Sequence, residues 1–153
     1  MQPPPNIAAA RRFLSLFDNG TPVALADLSQ ALDSLALAYH ETPAGDPTEE
    51  DVEPPARDYQ ATYQSLKTQL PSLGLYAMVF DPRELDAEPM LGDALDDVAD
   101  IIGDLSEVVW RFESVSADDA HWHFRFLFEV HWGRHLRELS FYLHTQLYQS
   151  GEG

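Results

Sequence analysis

The sequence contains no cysteine. Disulfide bonds, thiolate metal sites, iron–sulfur clusters and cysteine nucleophiles are therefore all excluded. Basic side chains are also scarce, because 9 Lys and Arg stand against 26 Asp and Glu and give a formal net charge of −17. Phosphate backbones and anionic membranes repel such a chain, so we expect no nucleic-acid or membrane binding. The acidity suits solubility, and it also suits a basic protein partner or a cation.

Long apolar runs are absent as well. No stretch approaches the length that spans a bilayer, and the first residues, MQPPPN, lack the basic and apolar regions of a secretory signal. We therefore expect a soluble, cytoplasmic protein. The 153 residues suit one domain, and a hydrophobic fraction of 44% with 8 Phe, 6 Tyr and 3 Trp is rich enough to build a core.

The dominant feature of the chain is an apolar, histidine-rich segment, residues 121–147, with helical periodicity. One broad face carries large apolar side chains: Phe124, Phe128, Trp132, Leu136, Leu139 and Leu143. An opposite strip carries Phe126, Val130 and Phe141. Because a helix that is apolar on two sides has to be covered on two sides, we expect this segment to be the centre of a helical bundle. Gly133 is its predicted weak point.

Four shorter helices are predicted before this segment from apolar spacing, N-caps and prolines. They cover residues 7–17, 22–41, 56–70 and 93–112. Residues 1–5 should form an extended tail, 42–55 a mobile acidic proline-rich loop, and 73–90 an irregular segment. The predicted fold is a single all-α domain over residues 1–153, an up-and-down bundle of about five helices with a long, central C-terminal helix.

The last helix carries the candidate binding residues. Arg125 and Glu129 are i, i+4 neighbours within its broad apolar face, which predicts a buried ion pair with a structural role. His131 and His135 have the same spacing, and we expect them to line the edge of the Trp132 face, hydrogen-bonded to carboxylates or carbonyls. These five residues are the predicted lining of a pocket or groove for a ligand or partner.

A metal site is the alternative use of the two histidines. At this spacing His131 and His135 can chelate a transition metal with Glu138 as a third ligand, and Asp97 and Asp100 of the preceding helix could complete the set. That helix carries an acidic row, which we expect to be a solvated face, opposite an apolar stripe. The stripe consists of Leu95, Val98, Ile102, Leu105, Val109 and Phe112. The row consists of Asp93, Asp97, Asp100, Asp104 and Glu107. Because the apolar stripe should face the last helix, the row would point away, and no metal or other cofactor is predicted.

The acidic helix, LDDVADIIGDLSEVV over residues 95–109, resembles the magnesium-binding helix of all-helical nucleotide pyrophosphohydrolases. In that family a Glu-x-x-Glu pair on one helix faces a Glu-x-x-Asp pair on another. Asp97 and Asp100 match the second pair, whereas Glu50 and Glu53 lie in the proline-rich loop and do not supply a helical first pair. The resemblance implies a metal-dependent hydrolase.

A longer set of motifs extends to the end of the last helix. They are Tyr63-x-x-Leu66, Pro71-x-Leu73-Gly74-x-Tyr76, Asp81-Pro82, Trp122-x-x-Arg125-Phe126-x-Phe128-Glu129-x-His131-Trp132-Gly133-x-His135, and His144. Together they resemble a family of small bacterial all-helical proteins known only as a domain of unknown function. The resemblance implies an all-α fold and a bacterial origin, and it transfers no activity.

We therefore predict a non-enzymatic cytoplasmic binding or regulatory protein, with a basic protein or a small molecule as its partner and no catalytic residue assigned. The alternative prediction is a metal-dependent hydrolase that uses Asp97, Asp100 and the histidines. The two differ in one geometric requirement, since only the hydrolase needs carboxylates and histidines to converge on one site.

Overall fold

Helices dominate the computed structural model, which describes residues 2–149. These residues form five helical runs, and the last run contains a π-helical turn. The elements are α1 (Pro5–Ser15), α2 (Leu25–Glu41), α3 (Tyr59–Gln69), α4 (Ala94–Ser114), α5 (Ala117–Leu127), the π turn (Phe128–Trp132) and α6 (Gly133–Tyr148). The predicted helical fold with a long C-terminal helix is confirmed. Within the described chain, none of the helices combines the length and hydrophobicity that crossing a lipid bilayer requires.

A single hydrophobic core joins all the helices. α4 packs against α1, α3 and the C-terminal run, and that run also packs against α2. The largest core side chains are fully buried: Ile7, Phe13, Leu28, Leu32, Leu35, Leu66, Leu70, Ile101, Leu105, Phe124, Trp132 and Leu136. Within a helix these residues are three or four positions apart, or a sum of such steps, so one stripe of every helix faces this core.

Side-chain caps set where the last two helical runs begin. Asp93 Oδ1 accepts from the backbone N–H of Leu95 at 3.0 Å, and Ser116 Oγ accepts from that of Asp119 at 3.0 Å. Each bond satisfies an N–H that has no partner within its own helix. The predicted starts at residues 93 and 117 therefore agree with the structure to within one residue.

A two-stranded antiparallel sheet lies between α3 and α4. Strand β1 (Leu75–Met78) pairs with β2 (Met90–Asp93), and Tyr76 lies opposite Gly92. A Cβ atom at residue 92 would lie 2.5 Å from Cζ of Tyr76, so glycine makes room for that ring. The prediction of an irregular segment was wrong here, because strands of four residues are too short for a clear alternating pattern.

The proline-rich segment between α2 and α3 is anchored rather than loose. It contains neither helix nor strand from residue 42 to residue 58, so the predicted loop of residues 42–55 is found, whereas the helix predicted from residue 56 begins only at Tyr59. The Asp46 N–H donates to Asp118 O at 3.1 Å, and the Thr48 N–H donates to Asp119 Oδ1 at 3.0 Å. Gly45 has a φ of +68°, and a Cβ there would lie 2.4 Å from Asp118 O. These contacts hold the first half of the segment against the start of α5.

The second apolar strip of the C-terminal run faces outward. Phe126, Val130 and Phe141 are 42%, 61% and 74% exposed. The expectation that the helix would be covered on both sides was therefore wrong for the described chain. The buried side alone supplies the core contacts, through Phe124, Trp132 and the leucines that follow.

Candidate metal centre

Two histidines on the C-terminal run are held by buried carboxylates of α4. His131 Nδ1 lies 2.6 Å from Asp104 Oδ2, and His135 Nδ1 lies 2.6 Å from Asp97 Oδ1. Because an ionised carboxylate only accepts hydrogen bonds, each Nδ1 carries a proton and donates. The Nε2 atom of each ring is the one directed away from these carboxylates and available to a ligand.

The π turn determines the position of the His131 ring. Its last N–H, that of Gly133, donates to Phe128 O, five residues back, where an α-helix would bond four back. A Cβ at residue 133 would lie 2.3 Å from the same oxygen, so this turn requires glycine. His131 lies inside the turn and His135 lies just beyond it. The predicted weak point at Gly133 therefore coincides with a change of helix type at the site.

Asp100 completes the cluster from the neighbouring helix. Its Oδ2 lies 3.1 Å from His135 Nε2 and 3.8 Å from His131 Nε2, and the two imidazole centroids are 4.9 Å apart. A tetrahedral metal with bonds of about 2.1 Å has ligand atoms about 3.4 Å apart. The two distances to Asp100 lie on either side of this value, and all three ligand atoms lie within 4.8 Å of one another on partly exposed side chains.

An outer layer orients the carboxylates in turn. Tyr76 OH donates to Asp97 Oδ2, and Arg57 Nη1 donates to Asp104 Oδ1 at 2.8 Å. The carboxylates are almost fully enclosed, with side-chain exposures of 6% for Asp97 and 2% for Asp104. Burial and the bond to Asp97 raise the pKa of Tyr76. Its hydroxyl therefore stays protonated and remains a donor.

The carboxylates of the cluster stabilise positive charge on His135. Burial alone lowers the pKa of His135, but hydrogen bonds to Asp100 and Asp97 outweigh it and raise the pKa to about 10. Without a metal, the ring is therefore a cation that donates from both nitrogens. A divalent ion placed among the same groups would meet the same two carboxylates, which attract positive charge. A metal ion has to displace the Nε2 proton of His135, so its affinity for this cluster should rise with pH.

Two residues of the acidic row of α4, Asp97 and Asp104, are buried and the other three are half-buried, which corrects the prediction of a solvated face. Asp97 and Asp104 alternate with Ile101 and Val108 at spacings of four, three and four residues, so they share one side of the helix. Both apolar residues are fully buried, and that side faces the C-terminal run. The objection that the acidic row must point away from the histidines is therefore wrong.

Arg125 and Glu129 lie outside this cluster. Arg125 Nη1 donates to the carbonyls of Tyr39 and Thr42, at 3.3 and 3.0 Å, and so satisfies the C-terminal end of α2. Glu129 accepts from Tyr39 OH at 2.6 Å, and its side chain is 50% exposed. The two charges approach each other only to 4.0 Å. The predicted burial of this pair is wrong, although its structural role agrees with these contacts.

The remaining candidate residues have separate positions. Trp132 is fully buried among core aromatics, and within residues 2–149 its Nε1 has no hydrogen-bond partner. Glu138 bonds Arg134 at 2.6 Å and is not among the clustered ligand atoms. Of the predicted candidates, the structure brings together His131, His135 and Asp100, with Asp97 behind them.

Sequence reasoning missed three residues that support the cluster. Asp104 could have been found, because its register with Ile101 and Val108 marks a half-buried position. Tyr76 lies in a strand too short to predict. Arg57 was placed in the first turn of the helix predicted over residues 56–70, and it lies 47 residues before its carboxylate, so no local pattern connects them.

The comparisons with known proteins bear on the whole chain. Residues 7–149 match a family model described as a domain of unknown function, DUF5063. No match was found among curated proteins. The chain is similar to the crystal structure of protein BF1032 from Bacteroides fragilis, at 17% sequence identity and a TM-score of 0.77, over 97% of this chain and 94% of that one. This likeness shows a shared fold. Since the family match spans nearly the whole sequence, the predicted resemblance is confirmed, and the chain belongs to the DUF5063 family.

Proposed function

We propose that this protein is a metal-binding helical module that holds one divalent transition-metal ion through Asp100, His131 and His135. The observation that carries the proposal is the pair of imidazoles whose Nδ1 atoms are fixed on buried carboxylates, while their Nε2 atoms lie 3.1 and 3.8 Å from the Asp100 carboxylate. Carboxylate–histidine pairs of this kind set the tautomer and orientation of metal-bound histidines.

The donor set points to a class of metal. Two imidazole nitrogens and one carboxylate oxygen suit zinc, iron, manganese or nickel, whereas calcium and magnesium prefer oxygen ligands alone. The binding module predicted from the sequence held no metal, and only the hydrolase alternative required the carboxylates and histidines to converge. The proposed module therefore takes its metal from that alternative and leaves catalysis to a second candidate function. The cytoplasmic location and a basic protein partner stay predictions.

Calorimetric titration of chelator-treated protein with zinc, manganese and nickel tests the proposal. We expect submicromolar binding of at least one metal with a stoichiometry of one, and its loss in His135→Ala and Asp100→Asn. His144→Ala is the matched control, since His144 is an exposed histidine of α6 outside the cluster. Weak binding of all three metals that is indifferent to His135 would show the proposal to be wrong.

A metal-dependent hydrolase is the second candidate, and one observation favours it. Three protein ligands leave a coordination position open, as in catalytic zinc sites. Asp100 also lines a cleft of about 220 Å³ between α4 and the start of α3, which gives a small molecule room beside the cluster. Metal-loaded protein should then hydrolyse an activated phosphate or carboxylate ester, and Asp100→Asn should abolish the activity. Metal binding without such turnover supports the non-enzymatic module.

A further inference from the structure

We propose that Arg57 is a positioning residue for the metal ligand His131 and that it acts through Asp104. The inference rests on the proposed metal site, and it assigns a role to the proline-rich segment that carries Arg57. The carboxylate of Asp104 is buried and is held from both sides, by Arg57 and by His131.

The two oxygens of Asp104 have different partners. Oδ1 accepts from Arg57 Nη1 at 2.8 Å, and Oδ2 accepts from His131 Nδ1 at 2.6 Å. The carboxyl group cannot rotate without breaking one of these bonds. Arg57 therefore fixes the plane of the carboxylate, and the carboxylate fixes the ring that presents Nε2 to the metal.

The guanidinium of Arg57 is itself held at a second point. Its Nη2 donates to Glu107 Oε1 at 2.9 Å, so the planar fork bridges two carboxylates one turn apart on α4. Gly103 lies beneath it, and a Cβ at that position would come within 3.2 Å of Nη1. The missing side chain lets the arginine lie flat on the helix.

The chain of charges continues beyond Glu107. Arg111 Nε donates to Glu107 Oε2 at 2.9 Å, and Arg111 Nη1 donates to Asp119 Oδ2 at 3.0 Å. The other oxygen of Asp119 accepts from the Thr48 N–H. The segment between α2 and α3 is thus attached at Thr48 to α5 and at Arg57 to α4. Its far end delivers one positive charge to a carboxylate that would otherwise be buried with only His131 as its partner.

His135 has a separate support, which provides an internal comparison. Its carboxylate, Asp97, accepts from Tyr76 of β1 and has no contact with Arg57 in the described hydrogen-bond network. The two histidines therefore depend on different residues. Loss of Arg57 should disturb His131, and loss of the Tyr76 hydroxyl should disturb His135.

A double-mutant cycle on zinc affinity tests this assignment. The affinities of wild type, Arg57→Gln, His131→Ala and the double variant are measured by competition with a chromophoric chelator. We expect Arg57→Gln to weaken zinc binding about tenfold, in the range typical of outer-layer residues. In the His131→Ala background the same substitution should have no further effect. Tyr76→Phe should still weaken binding in that background, because it acts on His135.

Two further variants separate positioning from general effects. Arg83→Gln removes one positive charge from an exposed local ion pair, and it should leave zinc affinity unchanged. Arg57→Lys keeps the charge beside Asp104, so it should fold even if Arg57→Gln does not. It should give a smaller loss that again vanishes in the His131→Ala background.

The outcomes distinguish this inference from the proposed function. A wild-type chain that binds no zinc, manganese or nickel overturns both. Zinc binding that is weakened but measurable in His131→Ala and in His135→Ala, combined with an Arg57→Gln effect that persists undiminished in the His131→Ala background, overturns the role of Arg57 and leaves the metal site intact.

Discussion

At the scale of single residues, the candidate site depends on buried carboxylates that are paired with histidines. Asp97 and Asp104 belong to an acidic row of a kind that usually lies on a helix surface, but both are as buried as core residues. Each accepts hydrogen bonds on both oxygens, which offsets part of the cost of removing a carboxylate from water. For Asp97 the burial still outweighs the bonds to His135 and Tyr76 and raises its pKa. A lysine at either position, which a solvated face would tolerate, would place a cation beside His135 or Arg57.

Replacing Asp104 with Asn should destabilise the fold. The amide keeps one acceptor, but its NH₂ group faces a donor, either Arg57 or His131, and Arg57 loses its charged partner. We expect a loss of about 2–3 kcal/mol in the free energy of unfolding. Urea unfolding of the metal-free protein measures it. Asp51→Asn, an exposed position of the proline-rich segment, should change stability by less than about 0.5 kcal/mol.

Protonation of His121 should lower the free energy of unfolding in mild acid. It is buried, and its Nδ1 accepts from Asn6 Nδ2 at 3.1 Å, which requires the neutral ring. Burial lowers the pKa of His121, and the nearby Asp118 only partly opposes this. The unfolded chain therefore binds the proton first, near pH 6.5. The contribution of His121 is fully present above that pH and is lost as the pH falls through and below it.

The comparison variant is His121→Gln, which can accept from Asn6 without titrating. Unfolding free energies at pH 7.5 and pH 5.0 should differ more for wild type than for the variant. Equal losses in the two proteins would show that other groups account for the acid sensitivity.

At the scale of elements, the helices were predictable and their contacts were not. Apolar spacing and caps located all five helical runs, because those signals are local. The site depends on pairings between residues 27 to 47 positions apart, such as His131 with Asp104 and Arg57 with Asp104. The predicted apolar stripe of α4 included Ile102 and Val109 and left out Ile101 and Val108. Because the predicted stripe was displaced by one residue, the prediction placed the acidic row toward solvent, whereas Asp97 and Asp104 face the C-terminal run.

The π turn should fail if Gly133 gains a side chain. In Gly133→Ala the new Cβ would contact Phe128 O, and either the turn reverts to α-helical bonding or the run bends. Reversion would rotate His131 relative to His135, so we expect metal affinity to fall at least tenfold. Thermal unfolding and zinc titration together measure both effects. Gly74→Ala is the control, because nothing lies within 4 Å of a Cβ at that position.

Arg125 and Glu129 should be weakly coupled. Arg125→Met leaves the carbonyls of Tyr39 and Thr42 without their charged donor, for an expected cost of about 1–2 kcal/mol. Glu129→Gln should cost less, because that side chain is half exposed. In a double-mutant cycle the effects should add to within about 0.5 kcal/mol. A coupling energy of several kcal/mol would contradict this expectation and support a buried ion pair between Arg125 and Glu129.

At the scale of the whole molecule, a metal would join two elements distant in sequence. Asp100 lies in α4 and the histidines lie in the C-terminal run, so only the folded chain presents all three ligands. Metal should therefore raise stability by about 2.7 kcal/mol at a free concentration a hundred times its dissociation constant. Thermal unfolding with zinc and with chelator measures this gain. We expect His131→Ala to remove it and His144→Ala to preserve it.

The separation of the partners in sequence also sets an order of events while the chain is being made. α4 is complete at Ser114, before the residues that satisfy its inner carboxylates, His131 and His135, have been synthesised. Until they arrive, Asp97 and Asp104 are best solvated by water, and the side of α4 that carries Ile101 and Val108 stays unburied. The central packing of the bundle is thus deferred until the segment that carries His131 and His135 has been synthesised, and we expect the nascent chain to stay acidic and open until then.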